Sequence, residues 1–302
     1  MTHLKMNSII KKGLKMEFPV YYNNNNYQVK IEADGTKTRT TFDEKFEPKF
    51  PETIDVNISN YCKNNCEFCY LDASREGLHG KLDARFFDLL KPFQEIAINY
   101  ANHPGLKFFL EKMQSKNVIV NTTINQNDLI KDHKTILLYL QLGLIRGLGI
   151  SVQKYDKPLV KVLKSLANYE TRIVFHTIAG ITTEETFKDL KGKKILVLGF
   201  KTKGRALNLE KPIVEINLLK EKLPDYLKGY FELISFDNLA LEQLAVKTMV
   251  SKEDWELYYM GAEGNYSMYY DAVTDKVFKS SLETEGYKTG YLNLELLFKL
   301  VQ

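Results

Sequence analysis

The chain has 302 residues, of which 44% are hydrophobic and 26% are charged, and its formal net charge is +4. This composition is typical of soluble globular proteins, and the small charge surplus favours neither nucleic acid nor an acidic membrane as a partner. The three cysteines form a poor disulfide framework and suit a reducing compartment. The first 18 residues show no signal-peptide pattern, and the longest apolar run, residues 136–145, is too short to cross a bilayer. We therefore expect a cytoplasmic protein that does not contact a membrane.

The amino-terminal region predicts a β-hairpin. Residues 27–41 read YQVKIEADGTKTRTT, with alternating residues on either side of Asp34-Gly35. This dipeptide tolerates the positive φ values of a two-residue hairpin turn. The asparagine run at 23–26 is interpreted as a loop. We assign residues 1–50 to an amino-terminal hairpin extension.

From residue 51 the chain alternates between strand and helix patterns. Strands are predicted at 52–59, 95–100, 117–124, 146–153, 171–180 and 193–200. Helices are predicted at 83–93, 105–116, 128–144, 157–169 and 182–192. This order is typical of parallel βαβ units with right-handed crossovers. We predict an α/β fold, a partial (β/α)6 TIM-like barrel over residues 51–211, because a full (β/α)8 barrel usually needs more chain.

The regular alternation fades after residue 211. Residues 233–248 have the pattern of a strand followed by a helix, and residues 265–281 predict a hairpin with its turn at 273–276. We predict that residues 212–302 form an α+β cap that closes the barrel.

All three cysteines lie in one short segment, Tyr61–Tyr70, which reads YCKNNCEFCY and follows the first predicted strand directly. Thiolates are ligands for zinc and for iron–sulfur clusters. Three cysteines hold three irons of a four-iron cluster and leave the fourth iron free for another ligand. Structural zinc sites more often use paired C-x2-C units with four protein ligands.

This segment resembles the signature loop of the radical S-adenosylmethionine (radical SAM) superfamily. The matching residues are Cys62, Cys66 and Cys69 in a C-x3-C-x2-C spacing, with the aromatic Phe68 before the third cysteine. In that family the loop follows the first strand of a partial barrel. The order of segments 55–83, 120–126, 148–152 and 198–206 is also similar to a group of phage- and prophage-borne radical SAM proteins without an assigned substrate.

The resemblance implies one [4Fe–4S] cluster on the three cysteines and reductive cleavage of SAM. The resulting radical would abstract a hydrogen atom from a peptide, protein or small-molecule substrate, and an external donor such as flavodoxin or ferredoxin would supply the electron. Because every thiol belongs to one loop, no auxiliary cluster can be built from cysteine. The catalytic residues that act on the substrate are not identified by the resemblance.

The resemblance also suggests SAM-binding positions beyond the cysteines. Many family members carry a Gly-Gly-Glu-Pro run after the second strand, and its oxygen atoms contact the SAM amino group. This chain has NYANHP there, at residues 99–104, so the amide oxygen of Asn99 or Asn102 would have to make that contact. Asn121 and Thr123 alternate along the third predicted strand and therefore share one face. The fourth predicted strand ends at Ser151. Residues 176–185 resemble the segment that lies near the adenine of SAM in the family. The sixth strand ends in LGFKTKGRA, where an arginine is expected to bind a carboxylate or phosphate. The candidates are Asn99, Asn102, Asn121, Thr123, Ser151, His176, Gly180, Gly199 and Arg205.

Several alternatives remain open at this point. A zinc site would recruit His79, ten residues after Cys69. The chain would then be a non-catalytic metal-binding protein. A second enzymatic alternative is a radical SAM enzyme acting on a nucleotide or modified base, with Arg205 and neighbouring lysines binding phosphate.

Overall fold

The structure is a computed structural model and describes residues 16–302. Its amino-terminal part is a three-stranded antiparallel sheet in the order β1-β2-β3. The strands are β1 (Val20–Asn24), β2 (Tyr27–Ile31) and β3 (Lys37–Thr40). The predicted hairpin is therefore present as β2 and β3, and β1 adds a strand that the sequence pattern did not predict. The part of the extension before residue 16 lies outside the described residues.

The hairpin turn is longer than predicted. Ile31 pairs with Lys37, so five residues, 32–36, connect the two strands. The Asp34 carboxylate accepts a hydrogen bond from the backbone N–H of Thr36 at 2.9 Å, and Gly35 takes a φ of +96°. A side chain that caps its own loop in this way favours a wider turn than a two-residue one.

The remaining strands form one ten-stranded sheet in the order β10-β9-β8-β7-β6-β5-β4-β11-β12-β13. The eight strands from β10 to β11 in this order are parallel, whereas β12 and β13 are antiparallel to their neighbours. Their bounds are β4 (Thr53–Asn57), β5 (Glu95–Asn99), β6 (Ile119–Asn125), β7 (Gly147–Ser151), β8 (Ile173–Ile178), β9 (Lys194–Leu198), β10 (Leu233–Phe236), β11 (Ser267–Asp271), β12 (Lys276–Phe278) and β13 (Tyr287–Lys288). All six predicted strands are present as β4 to β9. The chain is thus mixed α/β with a large, mostly parallel sheet.

Eight helices accompany this sheet within residues 16–302. They are α1 (Leu106–Ser115), α2 (Gln126–Gln141), α3 (Lys157–Ser165), α4 (Glu184–Asp189), α5 (Lys211–Tyr226), α6 (Asn238–Gln243), α7 (Lys252–Tyr258) and α8 (Leu294–Val301). The helix predicted at 83–93 is wrong, because only a short 3₁₀ turn forms at Arg85–Asp88. Pro92 disfavours helix at the preceding residue, and Phe93 takes a left-handed φ of +64° just before β5. No helix in residues 16–302 combines the length and apolarity needed to cross a membrane.

Residues after 211 do more than cap the sheet. Strand β10 pairs in parallel with β9 and extends the sheet at that end. Strand β11 pairs in parallel with β4, on the side of β4 that faces away from β5. The predicted hairpin at 265–281 is confirmed as β11 and β12. The boundary placed at residue 211 therefore lies within a single sheet.

The two faces of the large sheet differ in chemistry. Alternate residues such as Ile54, Ile96 and Val120 are buried in the main hydrophobic core with residues of the surrounding helices, including Phe109 and Leu140. The intervening residues are polar or small and stay partly accessible; they include Asp55, Ala97, Asn121, Thr123, Gly147, Ser151 and His176. Successive side chains of a strand point to opposite faces, so these residues share one face. We call it the polar face.

The amino-terminal sheet covers one end of the polar face. The Lys37 ammonium, on β3, donates to Thr53 Oγ1 at 3.1 Å and pairs with Glu95 at 2.5 Å. Thr53 and Glu95 are the first residues of β4 and β5. This end is thus occupied by β3, and the opposite end, where the parallel strands finish, carries the cysteine segment.

Candidate functional site

The candidate site is the segment from Tyr61 to Ala73, which we call the cysteine loop. It begins four residues after β4 ends, at the carboxyl end of the parallel strands. Cys62, Cys66 and Cys69 are reduced and partly accessible. Burial raises the pKa of the Cys66 thiol, and Cys62 and Cys69 raise it further, because three thiols are held near one another. The loop therefore gathers the chain's three thiols at one accessible place.

Two hydrogen-bond donors point at the sulfur atoms. The backbone N–H of Asn64 donates to Cys62 Sγ at 3.5 Å, and Gln153 Nε2 donates to Cys66 Sγ at 3.9 Å. Gln153 follows β7, and its own backbone N–H donates to Gln126 Oε1 at 2.7 Å. N–H···S bonds favour the thiolate form and are among the features that set the potential of iron–sulfur sites. Gln153 was not among the residues predicted from the sequence.

The loop after β9 holds the cysteine loop from the other side. Arg205 Nε donates to the Cys66 carbonyl oxygen at 2.9 Å, and Nη2 donates to that of Ala73 at 3.0 Å. Arg205 Nη1 also pairs with the Asp72 carboxylate at 2.9 Å, and the Arg205 backbone N–H donates to the Cys69 carbonyl oxygen at 3.1 Å. Arg205 was predicted to bind a ligand carboxylate or phosphate directly. Its three guanidinium nitrogens are instead engaged by the cysteine loop.

Gly204 allows this contact. Its φ is +59°, and a Cβ atom at this position would lie 2.7 Å from the carbonyl oxygens of both Cys69 and Tyr70. A side chain would therefore separate the two loops. The close approach of the two backbones therefore explains why the KGR motif at 203–205 has a glycine at its centre.

Three further predicted candidates, Asn99 at the end of β5, Asn102 and Phe68, have different environments. The Asn99 amide is used inside the protein, because Oδ1 accepts from the backbone N–H of Ile58 and Nδ2 donates to the Ser59 carbonyl oxygen, at 2.9 and 3.1 Å. Asn99 thus fixes the entry into the cysteine loop. Asn102 is exposed in the loop that precedes α1, and Phe68 is partly buried within the cysteine loop.

Four predicted candidates line the polar face. In register, Asn125 lies beside Ser151 and Ser151 beside His176, while Thr123 lies beside Gly149. The His176 ring lies over Gly149, where a Cβ atom would approach Cε1 and Nε2 within 2.5 Å. Burial lowers the pKa of His176 to about 4, so the imidazole is neutral at physiological pH. Asn121 lies nearer the covered end and donates weakly to Glu95, at 3.4 Å.

The two predicted glycines pack against helices. A Cβ atom on Gly180, whose φ is +79°, would lie 2.5 Å from the Pro212 carbonyl oxygen in α5. On Gly199 it would lie 2.4 Å from Leu239 in α6. Their close contacts are therefore internal, and both positions support the fold at the carboxyl ends of β8 and β9.

His79, the alternative zinc ligand, is engaged elsewhere. Its Nδ1 lies 2.9 Å from Ser59 Oγ, and its ring packs on His103 with 4.7 Å between centroids. Residues 16–302 contain no group of three or more His, Cys, Asp or Glu side chains that surrounds a position for a single metal ion.

Two ionisable side chains, Asp55 on the polar face and Tyr70 in the cysteine loop, were not among the site residues predicted from the sequence. Asp55 lies at the centre of β4 on the polar face, and Tyr70 follows Cys69. The Lys201 ammonium lies 4.3 Å from the centroid of the Tyr70 ring and donates to Ser281 Oγ at 2.7 Å. The acidic residue inside the predicted strand ETIDVNIS is the sequence signal that would have identified Asp55.

Comparison with protein-family models and with curated proteins found no match for this chain.

Proposed function

We propose that the protein is a radical SAM enzyme with one [4Fe–4S] cluster held by Cys62, Cys66 and Cys69. The observation that carries the proposal is the placement of all three thiols in one loop at the carboxyl end of a parallel strand. That loop is tied to the loops after β7 and β9. Catalytic sites of parallel α/β proteins form at this end of the sheet.

We further propose that the sheet curves into an open barrel around the polar face. Five strand spacings separate β4 from β9, which is about 24 Å in a flat sheet. The loops that follow these two strands nevertheless hydrogen-bond each other, from the Arg205 backbone N–H to the Cys69 carbonyl oxygen. Lys201, after β9, also reaches Ser281, which follows β12 beyond β4. Curvature is the simplest way to bring these residues together.

The donor set fits such a cluster. Three protein thiolates would occupy three irons, and the N–H donors of Asn64 and Gln153 would offset charge on two of the sulfur atoms. Arg205 lowers the pKa of Cys66, opposing the effects of burial and of the other two thiols. When bound, the cluster and SAM together supply the 5′-deoxyadenosyl radical that takes a hydrogen atom from the substrate.

The chain's own residues have three kinds of role in this proposal. Arg205 and Asn99 hold the cysteine loop in position. Ser151 and Thr123 offer hydroxyl groups for SAM or substrate on the polar face, and His176 offers a neutral imidazole. The large sheet would shield one side of this site from bulk water. The electron comes from an external one-electron donor.

The test is anaerobic reconstitution followed by a SAM-cleavage assay. We expect about four irons and four sulfides per chain, and 5′-deoxyadenosine when SAM and dithionite are added. Alanine at any one of the three cysteines should abolish SAM cleavage. Glu67→Ala is the matched control, because Glu67 is exposed in the same loop. Stoichiometric zinc in anaerobically purified protein, with no iron uptake, would overturn the proposal.

A further inference from the structure

One surface feature that has no role in the proposed function lies along α3, the helix between β7 and β8. Two cavities, of about 230 and 340 Å³, open beside this helix. Tyr155, Val160 and Lys164 line both of them, so the cavities are two parts of one continuous depression. We call this depression the α3 groove.

Apolar side chains form most of the lining of the smaller cavity. Leu166, Ile173 and Phe175 lie at its inner side and are almost fully buried in the main hydrophobic core. Ala167, the residue that follows the helix-ending Leu166, also lines the cavity and is exposed. The cavity is therefore open to solvent but apolar inside, and removing this apolar surface from water favours the binding of an apolar group.

The charges around the smaller cavity are paired within the protein. Lys193 forms an ion pair with Glu170 at 2.8 Å, and Lys194 forms one with Glu232 at 3.5 Å. All four side chains line this cavity. They therefore leave little net charge at its opening.

The larger cavity has the opposite character. Lys157, Lys161 and Lys164 line it and are exposed, and their spacing places them on one face of α3 along about 10 Å. None of these three ammonium groups forms an ion pair or hydrogen bond within residues 16–302. Asp156, which shares the lining, caps α3 by accepting from the Leu159 N–H at 3.1 Å. This part of the groove therefore carries a surplus of positive charge.

The α3 groove thus places unpaired positive charge directly beside an apolar cavity. An acidic polypeptide segment with one large apolar side chain is complementary to both parts. A nucleic acid would supply negative charge, but a base inside the apolar cavity would leave its polar edges without hydrogen bonds, which is costly.

We infer that the α3 groove docks an acidic segment of a partner protein. One apolar side chain of that segment fills the smaller cavity, and its carboxylates pair with Lys157, Lys161 and Lys164. This docking surface goes beyond the proposed radical SAM function and does not depend on it.

The experiment measures the binding of fluorescein-labelled peptides to the full chain by fluorescence anisotropy. The acidic peptide has one leucine with three glutamates on each side. A second peptide has serine in place of the leucine, and a third has glutamine in place of every glutamate. Each exposed ion pair changes affinity by about 1.5- to 5-fold, so the glutamine peptide should bind at least about threefold more weakly. The serine peptide should bind about tenfold more weakly, because burial of the leucine side chain is lost.

Replacement of the three groove lysines tests the position of the binding surface. Lys157→Gln, Lys161→Gln and Lys164→Gln combined in one protein should weaken binding of the acidic peptide by roughly three- to a hundredfold. The matched control removes the same charge from three exposed lysines that do not line the groove and should bind like the parent. In this control glutamine replaces Lys81, Lys107 and Lys299.

Ala167→Phe tests the apolar cavity, because the added ring would occupy it. This variant should bind the acidic peptide about tenfold more weakly and should bind the serine peptide as the parent protein does. The comparison of the three peptides on the parent protein needs no variant, so it serves if Ala167→Phe does not fold.

Several results would overturn the inference. They are equal binding of the acidic and glutamine peptides, equal binding of the acidic and serine peptides, and unchanged binding by the triple variant of the groove lysines. Tighter binding of an oligothymidylate of the same length than of the acidic peptide would assign the groove to nucleic acid instead. Absence of binding at millimolar acidic peptide would leave α3 with an ordinary solvated surface.

Discussion

Arg205 donates a hydrogen bond from Nε to the carbonyl oxygen of Cys66 at 2.9 Å, although the two residues are 139 positions apart in the sequence. The same guanidinium reaches Asp72 and the Ala73 carbonyl oxygen. One side chain thus holds the middle and the end of the cysteine loop. Its role is to fix the geometry of the three thiols relative to the loop after β9.

Replacement of Arg205 should loosen the cysteine loop. We expect Arg205→Ala to lower the free energy of unfolding by about 1.5–3 kcal/mol, the usual effect of losing charge-assisted hydrogen bonds. Arg205→Lys should recover only part of this, because an ammonium cannot copy the planar fork. Iron retained per chain after reconstitution should fall in the same order. Urea unfolding and iron analysis measure the two effects.

Arg75→Ala is the control for this series, because Arg75 is exposed beside the same loop. If Arg205→Ala keeps the parent's stability and iron content but binds SAM more weakly, the result would support direct binding of a ligand by Arg205, as the sequence predicts.

Gly204→Ala should be more damaging than an ordinary glycine replacement at positive φ. Gly192 is the matched control, because its φ of +71° is similar and an added Cβ atom there would meet no atom within 4 Å beyond its chain neighbours in residues 16–302. Gly192→Ala should therefore show only the backbone cost, about 1–2 kcal/mol. Gly204→Ala adds a clash with two carbonyl oxygens and should also reduce iron retention. Equal unfolding free energies for the two variants would show that the loops separate without cost.

The stability of the protein should depend on His176 in acid. Burial lowers the pKa of His176 to about 4 in the folded chain, against about 6.5 in the unfolded chain. Between these values the unfolded state binds a proton that the folded state does not, so stability falls as pH decreases from about 6.5 to about 4. The loss attributable to this residue reaches about 3 kcal/mol at the lower end.

His176→Gln should flatten this part of the profile of unfolding free energy against pH. His133→Gln, on α2, is the control and should keep the parent's slope. A slope in His176→Gln equal to the parent's would assign the acid sensitivity to other groups.

Arg39 should be essential to the junction between the amino-terminal sheet and the large sheet. Its guanidinium binds both oxygens of the buried Glu52, at 2.7 and 3.1 Å, and stacks on Tyr266 with 3.7 Å to the ring centroid. Arg39→Met should cost about 3–5 kcal/mol, because Glu52 then keeps a buried charge without its main partner. Urea unfolding measures this cost.

Arg39→Met combined with Glu52→Gln should recover part of the lost stability, since the buried charge that lost its main partner is removed. If the double variant is no more stable than Arg39→Met, packing on Tyr266 rather than charge holds the junction.

Local patterns in the sequence were sufficient for β4 to β9 and for helices α1 to α4, because hydrophobic periodicity and caps are properties of neighbouring residues. Thr183, for example, accepts a hydrogen bond from Thr186 as the cap of α4. The helix predicted at 83–93 failed where a proline and a left-handed residue outweighed periodicity. Strand β1 was missed because its residues, VYYNN, run into an asparagine turn.

The amino-acid sequence by itself determined the spacing of Cys62, Cys66 and Cys69 and their position after the first strand of a parallel α/β sheet. Only the tertiary structure decided that β11 pairs with β4 and that Arg205 contacts the cysteine loop. The reason is physical. Periodicity and capping act over a few residues, whereas strand pairing and charge interactions depend on distances between segments that the chain brings together only when it folds.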